Sequence, residues 1–501
     1  MSATHCYRIP PQWVVLYAAF VATLLAWEDQ TLHWIGAGLS IPLVGLALYD
    51  PWWGWLELFP LAFGMRPAPA TVGVQEGIFG LIVVTTVVRT LANQGRRSGG
   101  RGLARSYTTS LVVGGVVAGV NFVVARSNGV ALMDWLRGLT PFVFLLLAIP
   151  LAHELRKAPA RVPQLVGSLT VAFLLFAGHV IAFFFFKKLY QPYWLAGAGD
   201  SAVHIDASQL VSFPHALGPF FDRVTIFLPR ATDAILPAGF AVAAVAAARL
   251  SSRRGAVIAG TIAALGLTAI LITYTRSMLA SAVAMLMLYL LVTYFVWRKF
   301  FLRTLVVLAG LSLIGVIVVW GVGIQSTWGN RLEVLAKAAG GHAPSMDAAN
   351  VSESARVREF RIAWHGFVDH PVLGLGLGTK HAMRFLGAGG MIDQRVAYIH
   401  NWLLYFLMDT GIVGASAYAW LLLVPVVRGW RGLREEDFVR SALRIGAGVF
   451  VVYALFFAVF RLIFFNLVVA AGWAVLLASP SRNGLEHSPS ASGSGFDLRK
   501  S

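Results

Sequence analysis

The chain has 501 residues, 57% of them hydrophobic and 13% charged, with a mean hydropathy of +0.71. Soluble chains carry roughly 25% charged residues, so a soluble enzyme of one to three domains is excluded and an all-α polytopic membrane protein is expected. The formal charge of +17 predicts no nucleic-acid partner, because a many-spanning protein collects Arg and Lys on its cytoplasmic loops, and the single cysteine, Cys6, excludes an intramolecular disulfide and any CxxC metal or redox motif.

In chain order, apolar stretches fall at 13–27, 32–49, 51–65, 72–92, 109–126, 131–150, 165–186, 231–249, 256–275, 277–297, 303–323, 402–427, 441–459 and 461–478. A helix needs about twenty apolar residues to cross a bilayer core. The stretch at 51–65, with Pro51, Glu57 and Pro60, is too short to cross squarely and reads as re-entrant or interfacial. The expectation is 12 to 14 transmembrane helices in a single integral membrane domain over 1–478, with no cleavable signal peptide. Residues 479–501 hold seven serines and no apolar periodicity, so they read as a disordered cytoplasmic tail.

Five basic clusters set the orientation: Arg96, Arg97, Arg101 and Arg105; Arg156, Lys157 and Arg161; Arg249, Arg253 and Arg254; Arg298, Lys299 and Arg303; and Arg428, Arg431, Arg434 and Arg440. Two apolar spans separate each successive pair, so all five fit one face, the cytoplasmic one. The C-terminus then lies inside, and the long polar connections, 187–230 and 324–400, lie outside. Loops beyond about 15 residues are usually functional or disordered. The second loop carries an amphipathic stretch, Ser354 to Val368, expected as a helix at the outer mouth and ended by His370-Pro371, since the residue before proline avoids the helical region.

Ionisable groups facing that mouth are functional candidates. Arg223, Arg276, Arg356 and His400 qualify, Arg276 as the single charge in a short turn between two spans. Arginine forks grip phosphate oxygens, and a histidine accepts a proton near neutral pH, so the set suggests transfer chemistry. Interfacial arginines also serve as headgroup anchors, and a lone interfacial histidine is ordinarily a hydrogen-bonded surface residue. Asp134 and Arg137, one turn apart near the outer end of their span, could pair or take part in donor binding, while Glu57, Glu76, Asp233 and Arg461 default to structural pairing. His365 and His381 match no motif, and no pair has metal-ligand spacing; neither metal nor cofactor is implied. Gly374, Gly376 and Gly378 are expected to allow a tight turn against the bilayer surface, and Gly411 and Gly414 close helix packing.

Three elements together resemble the bacterial O-antigen ligase and O-antigen polymerase superfamily. One is SARVREFRIAWHGFVDHPVLGLGLG, Ser354 to Gly378; the second is His400-Asn401 followed by Gly411 and Gly414, with Asp409 just before the first glycine; the third is Thr275-Arg276-Ser277. The core of the resemblance covers about 255–427. Arg223, in FDRVTIFLPRATDA, sits where relatives place another arginine.

The resemblance implies an enzyme, a glycosyltransferase-type ligase or polymerase of the bacterial inner membrane with its active site facing the periplasm. It would move an oligo- or polysaccharide from undecaprenyl diphosphate to an acceptor sugar hydroxyl, inverting and without a metal. Arg276, Arg223 and Arg356 would bind the diphosphate, Asn401 the substrate, and His400 would be the base, with Arg276 stabilising the leaving group. The acceptor would be lipid A core in a ligase and a second carrier-linked glycan in an O-antigen or exopolysaccharide polymerase. Ala415 stands where the ligase motif usually has threonine, and both acceptors remain open. A reading of another class is a lipid-linked glycan transporter or flippase, for which repeated halves and interrupted spans with midplane charges would be expected.

Overall fold

The computed structural model describes residues 10–26, 30–65, 73–95, 101–185, 231–273, 276–321, 348–387, 390–397, 399–427, 438–455 and 458–478. The expected tail over 479–501, the first long loop with Arg223, and residues 324–347 of the second loop lie outside these. The described chain forms helices α1 (Pro11–Ala26), α2 (Gln30–Leu39), α3 (Ile41–Tyr49), α4 (Pro51–Leu61), α5 (Val74–Gly95), α6 (Arg101–Ser127), α7 (Leu132–Leu146), α8 (Ala148–Lys157) and α9 (Val162–Phe185). After the first loop come α10 (Ala231–Arg249), α11 (Arg253–Ile272), α12 (Arg276–Phe295) and α13 (Phe301–Gly321). Then follow α14 (Ala348–Asp369), the strands β1 (His381–Gly387) and β2 (Gly390–Val396), and α15 (Trp402–Val427), α16 (Phe438–Tyr453) and α17 (Ile463–Leu477).

Among the described residues, eight helical segments are long and apolar enough to cross a membrane, two of them joining α2 to α3 and α7 to α8. Shorter apolar helices cover Pro11–Ala26, Val112–Ser127, Ile235–Arg249 and Ile463–Leu477. Their outer surfaces are apolar, with Trp13, Ile41, Leu302, Val306 and Trp320 exposed, and a surface of that kind calls for lipid rather than water. The protein is a multi-pass membrane protein. Helix α14 ends one residue before His370-Pro371, where the sequence puts its stop. The antiparallel hairpin β1–β2, with His381 opposite Val396 and Gly387 opposite Gly390, is an addition that the helical expectation did not contain.

The stretch at 51–65 is not interfacial. Asp50 caps α4 by accepting the Trp52 N–H at 2.9 Å, with Pro51 at the first turn, and every residue of α4 except Trp53 is buried. It is a short helix enclosed by α1, α3, α5 and α9. Close helix approach elsewhere rests on glycine: the Phe173 ring of α9 occupies the space a Cβ would take at Gly239 of α10 and Gly266 of α11. The short turn 250–252 keeps Arg249 and Arg253 at one end of the bundle, where Ala442, near the start of α16, packs in one cluster with Ala248 and Trp297, and Leu443 beside it lies against Gly472 near the end of α17. At the same end, Arg156 donates to the Leu477 carbonyl at 2.6 and 3.1 Å, closing the C-terminus of α17. Arg161 binds Glu154 at 2.7 Å, and Arg249 lies over the Trp297 ring at 4.6 Å.

Helix α15 is not continuous. Gly411 has φ 60° and ψ −168°, outside any helical conformation. A straight helix would separate residues twelve apart by about 18 Å along its axis, yet the rings of Phe406 and Tyr418 stack with centroids 4.0 Å apart. The span is sharply bent between two half-helices. A break at this depth leaves backbone groups without helical partners, which is tolerated only where protein supplies them. Residues 371–378 do so. Leu375 and Gly376 donate their N–H groups to the carbonyls of Met408 and Asp409, each at 2.8 Å, and Ile412 donates to the Pro371 carbonyl at 2.9 Å. Buried Asn121 of α6 completes the lock: its Nδ2 donates to the Asp409 carbonyl at 2.9 Å, while its Oδ1 accepts from Leu377 N at 3.0 Å and Trp135 Nε1 at 3.1 Å.

Two expectations are thereby corrected. The glycines of 374–378 do not turn against a bilayer surface; they bring backbone against backbone inside the protein. A Cβ on Gly376, where φ is 102°, would lie 2.3 Å from Ala125 Cα, and one on Gly374 would lie 2.4 Å from Thr410 N. Gly411, read as a packing glycine, is the break itself, and only glycine takes its positive φ without strain. Gly376→Ala therefore combines a strained φ with overpacking and is expected to cost on the order of 3 kcal/mol. Gly129→Ala, also at positive φ but with nothing within 4 Å of its Cβ, would cost about 1 kcal/mol. Thermal unfolding of the two detergent-purified variants checks the difference, and equal midpoints would count against the interlock.

Candidate functional site

His400 and Asn401 join the hairpin to α15. Asn401 Oδ1 accepts the Leu404 N–H at 3.0 Å, so Asn401 is the N-cap of α15 and its oxygen is committed to the helix. His400 faces α14: its Nδ1 lies 2.7 Å from Glu359 Oε2, and its backbone N–H donates to the same oxygen at 3.2 Å. The Glu359 side chain is 2% exposed and that of His400 22%, so the pair has one member in the protein and one at its surface. The sequence gives reasons for this placement. Glu359 is the single acidic residue between Arg356 and Val368, and the face of α14 that buries it also buries Ala363 against α15.

Beyond this pair lies a deeper set. Arg461, just before α17, stands 5.6 Å from the Tyr405 ring centroid and within electrostatic reach of Asp409 and His381. Asp409 is fully buried, two residues before the break. The Gly378 N–H and the Tyr405 hydroxyl approach its carboxyl group without completing a hydrogen bond to either oxygen. Arg461, left by the sequence to structural pairing, is thus the cation beside the helix break. His381, at the start of β1, adds an imidazole near Glu359 and Arg461.

Since Arg461 precedes α17 and Leu477, bound by Arg156, ends it, the fifteen residues of that helix put the His400 site about 22 Å from the Arg156 end. Helix α11 starts at Arg253, level with that basic end, and finishes at Ile272, so Arg276 opens α12 at the site's end. Arg356 lies one turn before Glu359 on α14. Of the expected site residues, then, His400 and Asn401 stand together. Arg276 and Arg356 are placed by their helices, and Arg223 lies outside the described residues. Asp134, expected beside Arg137, forms an ion pair with Lys380 at 2.7 Å. Glu76 accepts the Gly73 N–H at 2.7 Å and closes the start of α5.

Sequence reasoning missed Glu359, His381 and Asn121. A base histidine ordinarily has an orienting carboxylate, which would have singled out Glu359. Nothing local pointed to Asn121, whose partner Asp409 is 288 residues away.

Residues 261–419 match the family described as O-antigen ligase. That segment runs from α11 through the break in α15 and includes Arg276, Arg356, Glu359, His381, His400 and Gly411. It supports membership of the chain in the O-antigen ligase and polymerase superfamily, whose members are glycosyltransferase-like ligases and polymerases acting on lipid-linked glycans. No curated protein matches the chain.

Burial holds the His381 imidazole below its ordinary value; the Glu359 carboxylate acts against that shift and Arg461 acts with it. A depressed histidine is neutral in the folded state at pH 7. As pH falls below about 6.5 the unfolded chain takes up this proton first, so His381's contribution is fully present above that pH and is lost below it. Between pH 7.5 and 5.5 the thermal midpoint of the parent should fall further than that of His381→Phe, and an identical fall would show that His381 does not contribute.

Proposed function

We propose that the protein is a glycan transferase working at the periplasmic face of the bacterial inner membrane. It takes an oligo- or polysaccharide from undecaprenyl diphosphate and joins it to an acceptor sugar hydroxyl. The observation that carries this reading is His400 paired with buried Glu359, at the end of the bundle remote from the described basic turns and inside the O-antigen ligase segment. By the positive-inside rule the basic end is cytoplasmic, which turns His400 and Arg276 to the periplasm.

In this reading His400 removes the acceptor hydroxyl proton. The oxygen then attacks the anomeric carbon, the bond from that carbon to the diphosphate oxygen breaks, and the electron pair leaves with the diphosphate. Arg276, with Arg223 and Arg356, offsets the negative charge that grows on the leaving group, an electrostatic role of the kind that contributes several kcal/mol to a barrier. A single displacement inverts the anomeric centre, and no metal or cofactor is called for. Asn401, its oxygen engaged in the cap, would offer substrate only its Nδ2 amide.

The acceptor is lipid A core in a ligase and a second carrier-linked glycan in an O-antigen or exopolysaccharide polymerase; Ala415 in place of the ligase threonine counts against the ligase without excluding it. The broken α15 with buried Asp409 is the feature that favours a lipid-linked glycan transporter. The backbone groups freed at the break are nevertheless paired with residues 371–378 and Asn121, and this supports the enzyme.

The test is reconstitution of purified protein with radiolabelled undecaprenyl-diphosphate oligosaccharide and both acceptors. A single labelled step on lipid A core is expected of a ligase and a ladder on the carrier of a polymerase. His400→Ala should reduce either product by at least about 1,000-fold while leaving expression intact. Undiminished product from that variant would refute the base assignment, and label that never leaves its carrier in the parent protein would refute the transferase.

A further inference from the structure

We infer that Glu359 is the positioning residue of the site, fixing the tautomer and the orientation of His400 and balancing the positive charge the imidazole acquires during transfer. The inference rests on the reading of His400 as the base. The geometry is specific: a single oxygen, Glu359 Oε2, meets both the backbone N–H of His400 at 3.2 Å and its Nδ1 at 2.7 Å. An oxygen already accepting the backbone proton is an acceptor, so we assign the imidazole proton to Nδ1, donated to the carboxylate. The lone pair is then on Nε2, the nitrogen that takes the acceptor hydroxyl proton.

Two hydrogen bonds from one residue to one oxygen also fix where the ring stands. The backbone bond sets the approach of the chain between the hairpin and α15, and the ring bond sets the rotation of the side chain. Asn401, capping α15 directly after His400, holds the other side of the same short connection. With Glu359 almost fully buried, its charge interacts with the imidazole across little solvent and is screened less than an exposed pair would be. When Nε2 takes the hydroxyl proton, the imidazolium forms against a carboxylate already in contact; the proton stays on Nε2, and the diphosphate carries away the electron pair of the broken bond.

A carboxylate in this place could also do no more than tie the loop to α14, so the test needs a readout that loop anchoring would not move. Glu359→Gln keeps the size and one acceptor oxygen, but its amide can turn and donate to Nδ1, which puts the imidazole proton on Nε2 and removes the basic lone pair from the reacting side. In the reconstituted transfer assay Glu359→Gln is expected to lower turnover by about 100-fold or more with the acceptor KM within about threefold. In ¹⁵N-histidine-labelled protein in lipid nanodiscs, the His400 signals, identified by their absence from His400→Gln, should show Nδ1–H in the parent and a shift towards Nε2–H in Glu359→Gln.

Glu359→Asp, which keeps the charge at a longer reach, should retain the Nδ1–H signal and lose only about tenfold in turnover; it carries the test if the glutamine variant does not purify as a monodisperse protein. Parent-like turnover of Glu359→Gln, or slow turnover with an unchanged Nδ1–H signal, would overturn the inference, and so would an aspartate variant that loses the Nδ1–H signal. If instead His400→Gln itself transfers glycan at the parent rate, the base reading fails, and that result is separate from any change in tautomer.

Discussion

A polypeptide inside a bilayer cannot leave N–H and C=O groups unpaired, and this constraint governs the centre of the molecule. Helix α15 stops being a helix at Gly411, and the backbone groups released there have no water to turn to. The turn after α14 takes them up through Leu375, Gly376, Pro371 and Val372, and Asn121 takes up the Asp409 carbonyl. The same turn follows α14 without a break in the chain, so its docking also fixes where α14 ends. Glu359 sits ten residues before that end, and His400 lies one residue before the Asn401 cap of α15, the helix that carries the break.

The interlock also places ionisable groups in an apolar setting. Asp409 is completely buried beside Arg461, which is in turn within reach of His381. His381 links this buried group to Glu359, so the deeper set and the surface pair form one electrostatic neighbourhood. Its members come from four elements: α14, the hairpin, α15 and the turn before α17.

Much of this was legible in the amino-acid sequence, for physical reasons. Apolar length marks helix whatever surrounds it, and the apolar stretches fall on helices in the described residues, although 32–49 and 131–150 each divide into two, 402–427 is broken at Gly411, and 51–65 is enclosed rather than interfacial. The His370-Pro371 stop follows from the steric clash of proline with the preceding residue. His400 stood out because a polar residue at the start of an apolar run must be at an edge. The break was not legible, because a glycine in an apolar helix is ordinarily a packing site and only the partner segment reveals that Gly411 has positive φ. Asn121 and Asp409 meet across most of the chain, and no local pattern encodes such a contact. Glu359 looked like one more charge on an amphipathic helix, and only the direction of its side chain distinguishes it.

The central claim is a single displacement in which one base, His400, delivers the acceptor oxygen to the anomeric carbon as the diphosphate departs. The stereochemistry of the product tests it most directly. Nuclear magnetic resonance of the newly formed glycosidic bond, compared with the sugar–diphosphate bond of the donor, should show inverted anomeric configuration. Retention would mean two successive displacements through a covalent glycosyl–enzyme species, and would contradict the account.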